Sequence, residues 1–259
     1  MFKYKADILP VTLILCLSFL DFFLYFTVDN TLLLCVYFLL MIVPKGVICA
    51  WNHHHQHTMT FHSVALNRLL EFFYALHTGV TTNLWVLHHV LGHHHNYLDQ
   101  NKDESGWKRA DGTVMGVVEY TVLIAATAYY RGFQVGKRYP KVQKAFIVFG
   151  VLTLLAVIAL VAYKPVPALL LFVLPMIVSL LFTCWVTYDH HAGLDTEDPF
   201  QASYNITSRW FNIMTGNLGY HTAHHIKQGL HWSKLPAYHE TIKEQIPQAF
   251  YRKSTFDLV

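Results

Sequence analysis

TLLLCVYFLLMIVPKGVICA, residues 31–50, runs without a break into WNHHHQH, residues 51–57. A helix needs about 20 mostly apolar residues to cross the hydrocarbon core of a bilayer. Residues 31–50 supply that length, and the chain leaves it directly into His53, His54, His55 and His57. A greasy helix ending in a knot of imidazoles implies a membrane span with metal-binding groups at its mouth, because imidazole is a common ligand for transition metals.

The rest of the chain repeats this pairing. Residues 9–28 form a second apolar run, interrupted by Asp21, and residues 145–163 a third. Residues 166–188 form a fourth, which contains Pro175. The links Asp29-Asn30 and Lys164-Pro165 are short enough only for tight helical turns. The spans therefore read as two hairpins, 9–50 and 145–188. The stretch Val114–Tyr130 is apolar too but holds Glu119, Thr121 and Thr127, and its status turns on parity. With two hairpins, both chain ends and the segments 51–144 and 189–259 lie on one side of the membrane. A fifth crossing at 114–130 would split the histidine knots between compartments. That stretch is therefore placed at the interface or against the catalytic part. Lys3, Lys5, Arg131, Lys137, Arg138, Lys141 and Lys144 all flank the inner side, against Asp29 and Lys164 in the outer turns. By the positive-inside rule, the histidine side and both termini are cytoplasmic.

Bulk composition agrees. The chain has 259 residues, 54% hydrophobic and 14% charged, against about 25% charged in soluble domains. A net charge of +3 gives no reason to expect a nucleic-acid partner. Cys16, Cys35, Cys49 and Cys184 make no CxxC pair, which argues against a disulfide framework, a zinc ribbon or a fused iron–sulfur domain. The first apolar run is too long for a signal-peptide core of about 7–15 residues and lacks a cleavage site after it. The expected fold is an all-α membrane protein. Four transmembrane helices form two hairpins, and a cytoplasmic helical cap holds the histidines, all in one domain over 1–259.

Eighteen histidines are far more than core packing requires, and most are bunched. His53-x3-His57 has the spacing of one helical turn, which puts both rings on one face; His54 or His55 could replace His53. His89-x3-His93-His94 repeats that pair with a neighbour about 100° around the helix, so adjacent rings serve two different ions, or one of them supports the other. His221-x2-His224-His225 has the same logic, and His191 follows the fourth span. Nine imidazoles on one side exceed the four of a tetrahedral zinc site and suit two ions of higher coordination number. His62, His77, His231 and His239 read as ordinary polar residues. Asp99, Asp103, Glu104, Asp189, Asp195, Glu197 and Asp198 are candidates to orient the ligands, with Asp189 nearest to one of them. Phe72, Phe73, Tyr74, Trp85 and Trp107 read as core or interfacial aromatics. A metal transporter or sensor with histidine-rich loops is the rival class, but transporters place ionisable groups along the spans, where only Asp21 and Lys45 occur here, and sensor tracts are loose and repetitive rather than set at helical spacing.

Boxes of the forms HxxxH, HxxxHH and HxxHH, met here as His53–His57, His89–His94 and His221–His225, resemble those of the integral-membrane fatty acid desaturase and hydroxylase superfamily. The likeness covers about residues 31–236. The stretch Gly219–His225 with Trp232 and Pro236 looks especially like small bacterial-type members. The resemblance implies two non-haem iron ions, bound by His53, His57, His89, His93, His94, His191, His221, His224 and His225. It implies O2 as co-substrate, a membrane lipid or acyl thioester as substrate, and desaturation of its acyl chain. Electrons would come from a separate ferredoxin, rubredoxin or cytochrome, since no length remains for a fused domain. It also implies an Asn-x3-His motif after the last span; His191 fits the histidine, but the asparagine position is Thr187. Tyr188–Leu194 is similar to the matching stretch of membrane alkane hydroxylases, so hydroxylation is the alternative chemistry.

Overall fold

The structure is a computed structural model that describes residues 1–253. It is helical almost throughout. In chain order come α1 (Ile8–Thr27), α2 (Thr31–His57), α3 (Val64–Thr78), a π-helix (Val86–His94), α4 (Val117–Gly136), α5 (Pro140–Tyr163) and α6 (Leu174–His191). Then follow β1 (Asn205–Ile206), α7 (Arg209–Thr215), α8 (His221–Ile226), α9 (Leu235–Ile242) and β2 (Tyr251–Arg252). Among the described residues, four helical stretches are long and apolar enough to cross a membrane: Lys5–Thr27, Thr31–His57, Pro140–Tyr163 and Pro165–His191. These are the four expected spans, each extended at one or both ends. The extension matters most in α2, which carries His53 and His57 on the span's own helix. Helical hydrogen bonding is indifferent to side-chain polarity, so the ladder continues where hydropathy falls. The stretch 114–130 becomes most of α4 and is not among the membrane-crossing helices.

The chain divides into two compact units. The first comprises residues 1–83 and 140–180. Asn30 caps α2 by accepting a hydrogen bond from the Leu33 amide at 3.0 Å, which lets the helix start immediately after the turn that ends α1. At the end of α3, Gly79 takes the left-handed conformation (φ 69°), and a Cβ there would sit 2.5 Å from the Met176 carbonyl oxygen. Tyr25, Leu34, Leu76, Ala168, Leu171 and Phe172 form an apolar core, while Leu9, Leu13, Leu32, Leu39 and Leu40 point outward. That distribution suits a lipid-facing surface. The two charges that interrupt the spans meet inside this unit. Lys45 Nζ lies 2.8 Å from Asp21 Oδ2, and Tyr37 donates to Asp21 Oδ1 at 2.8 Å. Pairing removes most of the penalty of burying either group alone.

The second unit comprises, among the described residues, 84–139 and 181–253. Trp107, Met115, Tyr120, Ile124 and Cys184 form its core around α4, and Tyr120 donates to the Ser105 carbonyl at 3.0 Å. Gly132 lets α4 approach the start of the π-helix, since a Cβ there would be 3.0 Å from Leu84 Cδ1. Strands β1 and β2 pair in parallel, Asn205 with Tyr251 and Ile206 with Arg252. Ala223 of α8 packs with Leu235, Ile242 and Ile246. No described cysteine forms a disulfide.

Candidate metal centre

In the first unit, the histidine triplet is resolved by what each ring touches. His55 Nδ1 lies 2.9 Å from Thr60 Oγ1, and its Nε2 lies 3.3 Å from Glu71 Oε1. Both nitrogens are committed, so His55 is not available to a metal. Glu71 is fully buried and also accepts from Arg68 and, at 2.6 Å, from Thr82. Burial alone raises its pKa, but the hydrogen bond and charge of His55, with Thr82 and Arg68, outweigh that and hold the carboxyl below its usual range. His53 and His57, one turn apart, have ring centroids 4.6 Å apart. The HxxxH spacing thus places His53 and His57 together and diverts His55 elsewhere.

In the second unit, the second box is not an α-helix. Val86–His94 is a π-helix, whose hydrogen bonds join residues five apart. His89 and His94 therefore share a face, with Nε2 atoms 2.9 Å apart. The expected pairing of His89 with His93 does not occur at this face, because a 3.6-residue period does not apply. The ligand atoms of His89, His94 and His224 lie within 4.8 Å of one another, and so do those of His93, His191 and His225. Adjacent rings thus go to different groups, since neighbours along a helix of either kind point apart: His93 and His94 part company, and so do His224 and His225. His221 joins the second group, with its Nε2 2.9 Å from that of His191 and 3.2 Å from that of His225.

The loops around these rings set their tautomers. Asp103 accepts from His93 Nδ1 at 2.8 and 2.9 Å. The Ala202 carbonyl accepts from His191 Nδ1 at 3.0 Å. With the proton held on Nδ1, each Nε2 carries a lone pair, and that of His93 is buried without a hydrogen-bond partner. Burial, reinforced by neighbouring imidazoles, holds His221 and His225 well below the ordinary histidine range, so both are neutral and ligand-competent. Two nitrogens in cis positions on one ion, each about 2.1 Å from it, are about 3.0 Å apart. The separations of 2.9, 2.9 and 3.2 Å match that spacing. Imidazole nitrogens this close either share a proton or hold a cation between them, and with several such rings converging in one buried space the residues present fit a metal.

Asp103, rather than the sequence-adjacent Asp189, is the carboxylate that holds one of the clustered histidines. Asp189 instead pairs with Arg252, whose guanidinium lies 3.5 Å from the centre of the Tyr204 ring. Asp99 pairs with Lys102, Asp195 with Lys108 and Glu104 with Arg131, while Asp198 accepts from the Phe200 amide and the Gln201 side chain. Sequence reasoning missed Asn205, whose side chain clamps the start of α8 through the Thr222 amide (3.1 Å) and hydroxyl (2.8 Å). It also missed Gly219, where a Cβ would sit 2.0 Å from the Ile206 carbonyl oxygen. No spacing rule links these residues to the boxes; they come together only through β1. Of the four lone histidines, His77 bonds Ser18 and lies near Asp21, His231 caps a short helix and His239 faces Tyr251. Thr187 donates to the Thr183 carbonyl at 3.0 Å.

Residues 30–256 of the chain match a family described as fatty acid desaturase. No curated protein and no solved structure matches the chain significantly.

Proposed function

The chain belongs to the fatty acid desaturase family, and we propose on that footing that it is a membrane di-iron acyl desaturase. The observation that carries this reading is the pair of buried histidine groups in the second unit, with nitrogen separations suited to cis metal ligands. The nine histidines proposed as ligands are His53, His57, His89, His93, His94, His191, His221, His224 and His225. An all-imidazole set leaves two bound irons more cationic than a carboxylate-bridged site would.

An alkyl C–H bond does not yield to acid, base or nucleophile, and the bound metals supply the O2 chemistry that side chains lack. The chain's own residues set the stage. Asp103 and the Ala202 carbonyl hold the protons of His93 and His191 on Nδ1 and aim Nε2 inward. Buried side chains around the rings exclude water. Asn205 and Gly219 fix where α8 presents His221, His224 and His225. In the overall reaction two protons and two electrons, that is two hydrogen atoms, leave adjacent carbons of an acyl chain. A separate donor protein supplies two more electrons and solvent two protons, and O2 leaves as two waters. The excess of Lys and Arg on the histidine side supports a cytoplasmic site and cytoplasmic termini.

The test is expression in a host that supplies electrons, followed by lipid analysis and metal determination. Products two mass units lighter, with a new double bond, and about two irons per chain are expected. Products carrying an added oxygen would replace desaturation with hydroxylation. Zinc in place of iron would overturn the di-iron reading.

A further inference from the structure

His190 is not among the nine histidines, yet it has the same internal arrangement as the ligand beside it. Its Nδ1 faces the Tyr204 carbonyl at 3.0 Å, as that of His191 faces the Ala202 carbonyl. The proton is therefore on Nδ1, and Nε2 presents a lone pair. His190 is 1% exposed, and its Nε2 is buried with no hydrogen-bond partner. Its ring lies flat on that of His221, with centroids 4.0 Å apart and planes 10° from parallel. A phenylalanine would fill this position and stack on His221 without burying an unmet acceptor. A buried lone pair needs a donor.

We propose that His190 Nε2 accepts a hydrogen bond from a water bound to the metal that His191, His221 and His225 face. This rests on the di-metal reading above. The stacking geometry separates a water-mediated role from direct ligation. A ligand's lone pair lies in its ring plane, so an ion bound to His221 lies in the plane of that ring. The plane of His190 runs alongside, about one ring spacing away. An ion in the plane of His221 lies outside the plane of His190, where its lone pair cannot reach it, and a water bridging the two planes satisfies both the metal and His190. The Thr187 hydroxyl, one turn back on the same helix, has its proton engaged by the Thr183 carbonyl. His190 is thus a positioning residue for a solvent ligand.

The experiment titrates metal-stripped, detergent-purified full-length protein with Co(II), reading affinity and the visible d–d bands. Wild type takes up two equivalents. His190→Phe keeps the stacked ring but removes the acceptor. It should bind the first equivalent normally and the second about 10- to 100-fold more weakly, the usual effect of losing an outer-sphere partner, with altered bands. His190→Gln, whose amide oxygen accepts from water, should restore affinity to within a few-fold. Should His190→Phe fail to fold, His190→Ala with added free imidazole provides the same comparison, and imidazole should recover the second equivalent. An unchanged second affinity and spectrum in His190→Phe, or no recovery with imidazole in His190→Ala, would overturn the water-holding role and leave only the stacking contact. Fewer than two equivalents in wild type would overturn the di-metal reading and this inference with it.

Discussion

Lys45 donates to the backbone carbonyl of Leu171 at 2.8 Å. Leu171 is four residues before Pro175, which has no N–H to return to that carbonyl, and the chain bulges into a π-turn over Leu169–Val173. The same ammonium lies 2.8 Å from Asp21. The features that look like flaws in three separate spans (Asp21, Lys45 and Pro175) therefore form one arrangement, with Lys45 joining α1, α2 and the fourth span.

Removing one partner from this arrangement should be far worse than removing both charges. Lys45→Met strands a buried carboxylate and a carbonyl, and should cost about 3–5 kcal/mol. The double change Asp21→Leu with Lys45→Met should recover most of that loss. Thermal unfolding of the three proteins in one detergent checks this; equal losses for single and double variants would contradict it.

Asp103→Asn should weaken metal binding at the group containing His93. The amide no longer favours a proton on His93 Nδ1, and losses of about 10- to 100-fold in affinity are typical of such changes. Titration of the stripped protein with Fe(II) or Co(II) should show one weakened and one unaltered equivalent. Asp189→Asn, whose side chain faces Arg252, should leave both affinities near wild type.

Within the first box, His55 and His57 should behave differently. His57→Ala should lose iron and abolish activity while still inserting into membranes. His55→Gln should retain iron, because His55 is bound to Thr60 and Glu71, but should lower stability by leaving Glu71 short of a partner. Iron content measured beside melting temperature separates the two effects. Iron loss in His55→Gln at wild-type stability would reverse the assignment.

Acid should destabilise the folded chain through His88. Burial, then the Arg131 guanidinium and the neighbouring His93 ring, push this imidazole down to about 3, against about 6.5 when unfolded. Between those values the unfolded chain binds a proton that the folded chain does not. Stability therefore falls as pH drops below about 6.5, with a limiting slope of about 1.4 kcal/mol per pH unit for this one group. Above that range His88 contributes no pH dependence. His88→Leu should flatten the acid limb of a stability-versus-pH curve for the metal-free protein by about that slope.

Much of this was legible in the chain. Hydropathy located all four spans, because the bilayer demands a length of apolar sequence that no other constraint imitates. It fell short at Ala50, where α2 continues to His57 on backbone hydrogen bonds alone. The polar residues Glu119, Thr121 and Thr127 marked Val114–Tyr130 as doubtful, and it lies in and before α4, outside the membrane-crossing set.

The sequence by itself determined which residue types gather, and how many, since clustered imidazoles beside apolar helices have few other uses. Only the tertiary structure decided the partners. A π-helix has a different period from an α-helix, so His89 meets His94 instead of His93, and no spacing read at 3.6 residues per turn could show this. Asp103 reaches His93, and Arg252 takes Asp189, because a loop and a strand bring them there. Such contacts depend on how the backbone closes in space, which neighbouring residues along the chain do not encode.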